Sequence, residues 1–367
     1  MSEYQLPYFE VICAQNTAPG PIPYGVKMIG AELEWPDTKG KGIKVAVVDT
    51  GIATHPDLKI TGRFDATGTG HDDKNGHGTH CAGTIAANGA IKGVAPEAEL
   101  YAVKVFGATG GTNPTWLVSA LRWCRENKMD VISMSLGGPR ELGVAFETEM
   151  NRCIQEGIVI AASAGNFGRD YGVLYPAKYK PILAVAAIDI TKRAAEWSAY
   201  GNELDMAAAG VEVYSTYPEN RYALLSGTSM ACPHIAGACA LIQAKALKRF
   251  GKKLTPAEVR LILNIYADDA GAPGFDERYG HGIFSFGRFG ASETITPPPV
   301  PAPKERKVEL VIDQKTYHVN GVPKETDVAP FIKDARTFTP ARVMAEGLGA
   351  KVDWDEKLRK VTATLTL

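Results

Sequence analysis

Four short segments carry residues whose types suit hydrolytic chemistry. The first is Val48-Asp49-Thr50-Gly51, where an aspartate closes an apolar run and a glycine turn follows. An acid at the carboxyl end of a buried strand sits where open α/β sheets place their ligands. An aspartate that merely caps a turn fits the same letters. The second is Asn75-Gly76-His77-Gly78-Thr79-His80, with glycines on both sides of His77. They allow a sharp entry into a helix and leave the imidazole open to act as a general base once a carboxylate fixes its tautomer. A packed or solvated side chain is the ordinary reading of a lone histidine, and His80 is read that way. The third is Ser226-Gly227-Thr228-Ser229-Met230-Ala231-Cys232-Pro233. Ser229 opens a helix there, near unpaired backbone donors and the positive end of the helix dipole, which suits a nucleophile whose substrate oxygen becomes an anion. A serine in that place also serves as a plain helix cap. The fourth is Ala161-Ala162-Ser163-Ala164-Gly165-Asn166, which ends a strand in an asparagine whose amide could reach that oxyanion beside the Ser229 N–H.

The elements that must position these residues follow from the apolar pattern. Lys44–Val48, Leu100–Val105, Val131–Leu136, Ile158–Ala162 and Ile182–Ala186 read as near-continuous apolar strands. Helices are expected from His77 through Ala87, over Thr115–Glu126, and from Ser229 to Phe250. Buried strands alternating with helices predict an α/β fold, a doubly wound, mostly parallel sheet with helices on both faces. After Tyr279–Gly282 the pattern gives way to Pro297-Pro298-Pro299-Val300-Pro301-Ala302-Pro303, a semi-rigid extended linker. Beyond it, Glu309–Ile312 and Lys360–Leu365 read as strands, Val319–Gly321 as a turn and Pro340–Leu348 as a helix, a small α+β module. The expected division is an N-terminal extension 1–24, a catalytic domain 25–292, a linker 293–306 and the module 307–367.

Composition bounds the partners. Hydrophobic residues are 45% and charged residues 22%, as in a soluble globular chain, and 40 basic against 41 acidic residues leave a net charge of −1. So even a balance gives no electrostatic reason for nucleic acid or an anionic membrane as partner. No apolar run approaches the roughly 20 residues that span a bilayer. The first residues, Met1-Ser2-Glu3-Tyr4-Gln5, lack a basic start and an apolar core, which reads as no secretory signal, and the six cysteines form no disulfide framework. Together these predict a cytoplasmic protein with free thiols. A leader upstream of this sequence would make it secreted.

In order and wording the four segments resemble the subtilisin family of serine proteases, over about residues 25–290. The resemblance implies a serine endopeptidase with Asp49, His77 and Ser229 as its triad and Asn166 in the oxyanion hole. It implies that Ser135-Leu136-Gly137-Gly138 pairs with substrate backbone, and that this strand and Ala161–Gly165, with Ala162 and Gly165, wall the primary specificity pocket. Binding by strand addition reads backbone more than side chains, so protein and peptide substrates of broad sequence are expected. Phe167 and Leu174 flank a loop near the pocket that is shorter than in many secreted relatives, with Leu174 at the pocket floor. The alternative from another class is a catalytically silent binding module on the same fold, against which the intact Asp49, His77, Asn166 and Ser229 argue.

Three further features refine the resemblance. Asp57 matches a structural calcium ligand of the family, while the loop Ala87–Gly93 that would complete the site is short; no cofactor is needed for the chemistry. Cys81 and Cys232 lie close in sequence to His77 and Ser229 and read as small packed residues. Residues 1–43 precede the strand that ends in Asp49, and Gln5-Leu6-Pro7-Tyr8 resembles the short inhibitory element of bacterial intracellular subtilisins, so Leu6, Pro7 and Tyr8 are expected to lie across the cleft. The last sixty residues resemble the stalk-like domain named after copper amine oxidase N-termini. They hold no histidine or cysteine cluster, hence no copper is inferred, and their partner is not indicated. Homodimerisation is left open.

Overall fold

The computed structural model describes residues 4–5, 10–16, 20–107 and 110–289, and beyond them seven strands. The chain divides into two compact units, residues 1–298 and 299–367.

In the first unit the elements are β1 (Tyr4–Gln5), β2 (Glu10–Gln15), α1 (Tyr24–Met28), α2 (Ala31–Glu34), β3 (Lys44–Asp49), β4 (Ile60–Asp65), α3 (His77–Ala86), β5 (Glu99–Lys104), β6 (Gly111–Thr112) and α4 (Pro114–Glu126). They continue with β7 (Val131–Met134), α5 (Val144–Gln155), β8 (Val159–Ser163), β9 (Leu183–Ile188), β10 (Met206–Ala209), β11 (Val213–Tyr217), β12 (Arg221–Ser226), α6 (Thr228–Phe250), α7 (Pro256–Ile265), β13 (Ala267–Asp268) and β14 (Ile283–Phe284). A nine-stranded sheet runs β13-β14-β10-β9-β8-β7-β3-β5-β4, parallel throughout except for the β13–β14 pair at one edge.

Strand alternation explains why both faces are covered. Along β3, Val45 and Val47 join one apolar cluster with α3 and α6, whereas Ala46 and Val48 join a second with α4 and α5. Successive side chains of a strand point to opposite faces, so an unbroken apolar run needs a helical layer on each. The fold is therefore the expected α/β sandwich. Helix α6 is 23 residues long and apolar enough to pass a membrane-span test by composition, unlike the sequence expectation, yet 94% of its apolar window is buried in the protein as a core helix. Its Ala, Gly and Cys positions let it lie against both the sheet and α3.

A separate three-stranded antiparallel sheet, β11-β12-β2, was not foreseen. Its outer strand is the N-terminal segment: Glu10 lies opposite Ser226 and Gln15 opposite Tyr222. Upstream, Tyr4 and Gln5 pair antiparallel with Thr112 and Gly111. Leu6, Pro7 and Tyr8, expected across the cleft, lie outside the described residues.

In the second unit β15 (Glu305–Val311), β16 (Thr316–Val319), β17 (Val322–Glu325), β20 (Lys351–Asp355) and β21 (Lys360–Thr366) form an antiparallel sheet, and β18 (Phe331–Lys333) pairs with β19 (Arg336–Phe338). Strand β15 begins two residues before the expected start of this module. The helix expected over Pro340–Leu348 lies outside the described residues.

Candidate active site

Asp49 is the last residue of β3 and His77 the first of α3, and both are fully buried. The imidazole Nδ1 lies 2.8 Å from Asp49 Oδ1 and 3.0 Å from Oδ2. Asp49 Oδ1 also accepts the Thr50 N–H at 2.7 Å. A carboxylate on Nδ1 fixes the proton there and leaves Nε2 as the basic nitrogen.

The approach of α3 to β3 is secured by a network that sequence reading missed. Asp73 Oδ1 accepts the Thr50 hydroxyl at 2.9 Å and the N–H groups of Asn75 and Gly76, while Oδ2 accepts the N–H and hydroxyl of Thr79. An acid that caps the start of α3 in this way meets the positive end of the helix. Thr50 Oγ1 in turn accepts the Gly78 N–H at 2.9 Å. Lys104 Nζ, largely buried, donates to the carbonyls of Thr50 (2.7 Å) and Asp72 (2.9 Å), tying the two loops that carry the Asp–His pair. Gly78 has to be glycine: a β-carbon there would lie 2.1 Å from Gly51 O and 3.1 Å from Asp49 Cβ. The available signal was the run of polar residues just before His77, which has no periodicity to read.

Ser229 sits in the first turn of α6, but Gly227 occupies the N-cap and Thr228 is the first helical residue, so the plain-cap reading of Ser229 does not apply. Its Oγ lies 3.4 Å from Ser135 O, and its own carbonyl accepts the Ser135 hydroxyl at 2.8 Å and the Cys81 thiol at 3.4 Å. Cys81 Sγ is also 4.0 Å from His77 Nδ1, so one buried thiol spans the helix of His77 and the helix of Ser229. Burial pushes the Cys81 thiol well above the usual thiol range and Cys232 to about 11, which keeps both protonated and inert. They are packed residues, as read. Asp49, His77 and Cys81 hold ligand-type atoms within 4.8 Å of one another. A histidine–carboxylate hydrogen bond beside a protonated thiol does not fit a metal ligand set.

Asn166 follows β8, and its Oδ1 accepts both the Thr228 N–H (2.9 Å) and the Thr228 hydroxyl (2.7 Å). Thr228 Oγ1 closes the loop by accepting the Gly165 N–H at 3.1 Å. With its carbonyl engaged, the amide of Asn166 is turned toward the start of α6. A β-carbon on Gly227 would meet Asn166 Nδ2 at 3.2 Å and Ser229 N at 3.7 Å, so two N–H donors flank one small space beside this glycine. Thr228, not singled out from sequence, orients that donor.

Of the strand residues expected to meet substrate, Ser135, Leu136 and Ala162 are buried around Ser229 and β8. Gly138 exchanges two main-chain bonds with Tyr175, each 2.9 Å, which takes it out of the set available to a substrate strand. His80 is packed, not solvated: Nε2 lies 3.0 Å from Val213 O and 3.1 Å from Ala223 O, and burial lowers its pKa to about 3.

Asp57 departs from the calcium expectation. Its Oδ1 accepts the Ala90 N–H at 2.9 Å, and its Oδ2 accepts the Ile91 N–H at 3.0 Å and the Tyr222 hydroxyl at 2.9 Å. Asn88 N–H binds Asp57 O at 2.8 Å. Both oxygens face hydrogen-bond donors, the surroundings of an anion held by backbone, and these residues do not fit a cation at that carboxylate.

An aspartate-paired histidine, a helix-start serine and an oriented asparagine at the carboxyl ends of a parallel sheet suit hydrolysis by a serine nucleophile. The chain belongs to the subtilase family, which residues 40–282 match, and it is a serine peptidase. It is 42% identical over 274 residues to subtilisin DY of Bacillus licheniformis, covering 72% of this chain and 97% of that protein. It is 43% identical over 256 residues to the major intracellular serine protease of Bacillus subtilis, 65% of this chain and 80% of that protein. An intracellular serine protease of Paenibacillus polymyxa is 44% identical over 255 residues, 65% and 78% of the two chains. Residues 301–363 match the copper amine oxidase N-terminal domain.

Proposed function

We propose that this peptidase cleaves proteins internally with Asp49, His77 and Ser229 as a triad and Asn166 as an oxyanion donor. The observation that carries the reading is the pairing of His77 Nδ1 with both Asp49 oxygens, in a site where Asn166 is locked by Thr228 next to Ser229. His77 Nε2 takes the Ser229 proton as Oγ attacks the peptide carbonyl. The oxygen of that carbonyl becomes an anion between Asn166 Nδ2 and the Ser229 N–H. His77 then gives the proton to the departing amine, and a water deprotonated by His77 releases the acyl group from Oγ. Asp49 holds the tautomer and stabilises the imidazolium.

The N-terminal segment inhibits this site in the same reading. Its described parts pair with two strands of the catalytic unit: Tyr4–Gln5 with Gly111–Thr112, and Glu10 with Ser226, three residues before Ser229. Ser229 and His77 are fully buried alongside these pairings. Leu6-Pro7-Tyr8 fall between the two pairings, and a proline lacks the N–H and the freedom of φ that productive strand pairing needs. Tethering holds the segment at roughly millimolar effective concentration. Asp57 is a loop anchor in this account, and residues 299–367 are a binding or spacer module. A cytoplasmic address is supported by five buried free thiols, Cys81, Cys124, Cys153, Cys232 and Cys239, and by relatives named intracellular.

Casein hydrolysis by three proteins tests the inhibitory role. A form starting near Gly25 is expected to act at once, the full-length form after a lag, and Pro7→Ala after a shorter lag. Equal initial rates from all three would reduce the segment to an ordinary tail.

A further inference from the structure

The acyl-side residue of a substrate has its carbonyl at Asn166 and Ser229. Its side chain, in that reading, leaves between the chain that follows Ser135 and the chain that precedes Asn166, the two segments expected to wall the pocket. Each wall carries a glycine: Gly137 on one side, and Gly165, at a φ of +115°, on the other. The space between them is taken by Leu174. A β-carbon built on Gly165 would lie 2.7 Å from Leu174 Cγ and 2.8 Å from Cδ1. One built on Gly137 would lie 3.1 Å from Leu174 Cβ and 3.3 Å from Cδ1. One leucine thus touches the bare backbone of both walls at once.

Leu174 is also fixed there. It is 2% exposed, its N–H donates to Ala164 O at 2.8 Å, and its carbonyl accepts the Lys178 N–H at 2.9 Å. The next residue, Tyr175, is the one paired with Gly138. Wall, floor and opposite wall are therefore one hydrogen-bonded unit. A rotamer change moves Cγ and Cδ but leaves Cβ against Gly137, and a shift of the backbone breaks bonds to both walls. Close-packed interiors do not absorb a large side chain without strain.

We propose that Leu174 is the specificity-determining residue of this pocket and that the peptidase cleaves after small residues, namely alanine, glycine or serine, in preference to large apolar ones. The proposal rests on Ser229 as the nucleophile and narrows one position of a substrate otherwise read by its backbone. An alanine methyl ends before it meets Leu174, whereas a phenylalanine or leucine side chain needs the volume Leu174 fills.

The test uses the full chain and a series of succinyl-Ala-Ala-Pro-X p-nitroanilides with X as Ala, Leu or Phe. Ratios of kcat/KM within one preparation do not depend on the fraction of enzyme that is active. The Ala peptide is expected to exceed the Phe peptide by at least about tenfold, the discrimination a few methylenes give in a tight pocket. Leu174→Gly is expected to raise the Phe peptide by at least about tenfold and reverse the order. Should Leu174→Gly not fold, Leu174→Ala serves, together with mass-spectrometric mapping of wild-type cleavage sites in denatured casein. A wild type that favours Phe, or a Leu174 variant with unchanged ratios, or casein cut mainly after large residues, overturns the proposal. Failure to cleave any peptide, with no sulfonylation of Ser229, overturns instead the catalytic reading beneath it.

Discussion

Asp49 and Asp57 are both buried, 0% and 5% exposed, one ending β3 and the other in the segment after it, yet their surroundings differ in kind. Asp49 accepts one backbone N–H and an imidazole, a partner that can take a second proton during a reaction. Asp57 accepts two backbone N–H groups and a phenol, and burial with the Asp57 charge pushes Tyr222 to about 12, so that it stays a donor at neutral pH. In the proposed mechanism one carboxylate holds a group whose charge changes, while the other holds a loop whose charge does not. Residue type and burial alone do not separate the two; the chemical kind of the partner does.

Substitution should expose that difference most at Asp49. Asp49→Asn keeps the shape but loses the tautomer control, so kcat is expected to fall by roughly 10⁴-fold, the size typical when a triad aspartate is neutralised, with the far-UV circular dichroism unchanged. A loss of less than tenfold would make Asp49 an anchor as well. Asn166→Ala should slow kcat by roughly 10²–10³-fold with KM nearly constant, as expected for one oxyanion donor in enzymes of this kind. A change confined to KM would remove Asn166 from that role.

Asp57→Asn places an amide against donors. Unfolding of that variant in a Ser229→Ala background, which prevents self-digestion, should show a loss on the order of 3 kcal/mol. The dependence of its melting temperature on calcium should match that of the Ser229→Ala parent. A calcium dependence that disappears with Asp57→Asn would restore the residue as a ligand.

A further test concerns pH. Burial lowers His80 from 6.5 to about 3 and His234 from 6.5 to about 4, so both are neutral in the folded chain at pH values where the unfolded chain binds their protons. Their contribution to stability is therefore complete above about 6.5 and is lost as pH falls toward about 3. The melting temperature of Ser229→Ala should decline between pH 6.5 and 5, before ordinary carboxylates titrate. A flat profile there would show that these histidines titrate alike in both states.

The sequence made the central sheet legible because Val45–Val48, Val159–Ala162 and Leu183–Ile188 are short runs that are apolar without interruption, as strands buried on both faces are. It also placed His77 and Ser229 at helix starts. Strand β7 ends at Met134, two residues before the apolar run does, because Ser135 leaves the ladder to meet Ser229. Helix α7 was missed although Thr255, Pro256 and Glu258 spell a capping box that the structure forms. Strand β2 had no local signal, since its partner β12 is remote in sequence. The same holds for Asp73, Lys104 and Thr228, whose roles arise from hydrogen bonds between segments, whereas pattern reading sees only one segment at a time. Asp57 was misleading because its letters do not say whether loop carbonyls or loop N–H groups face it.

The central claim is that Ser229 is a nucleophile driven by His77 and Asp49. It is tested most directly on the form that starts near Gly25, by treating wild type, Ser229→Ala and His77→Ala with phenylmethylsulfonyl fluoride and measuring intact mass, peptide maps and residual casein hydrolysis. The account predicts one sulfonyl adduct, confined to the wild type, mapped to the peptide that carries Ser229, and matched by loss of hydrolysis. An adduct elsewhere, or casein cleavage undiminished in Ser229→Ala, would contradict it.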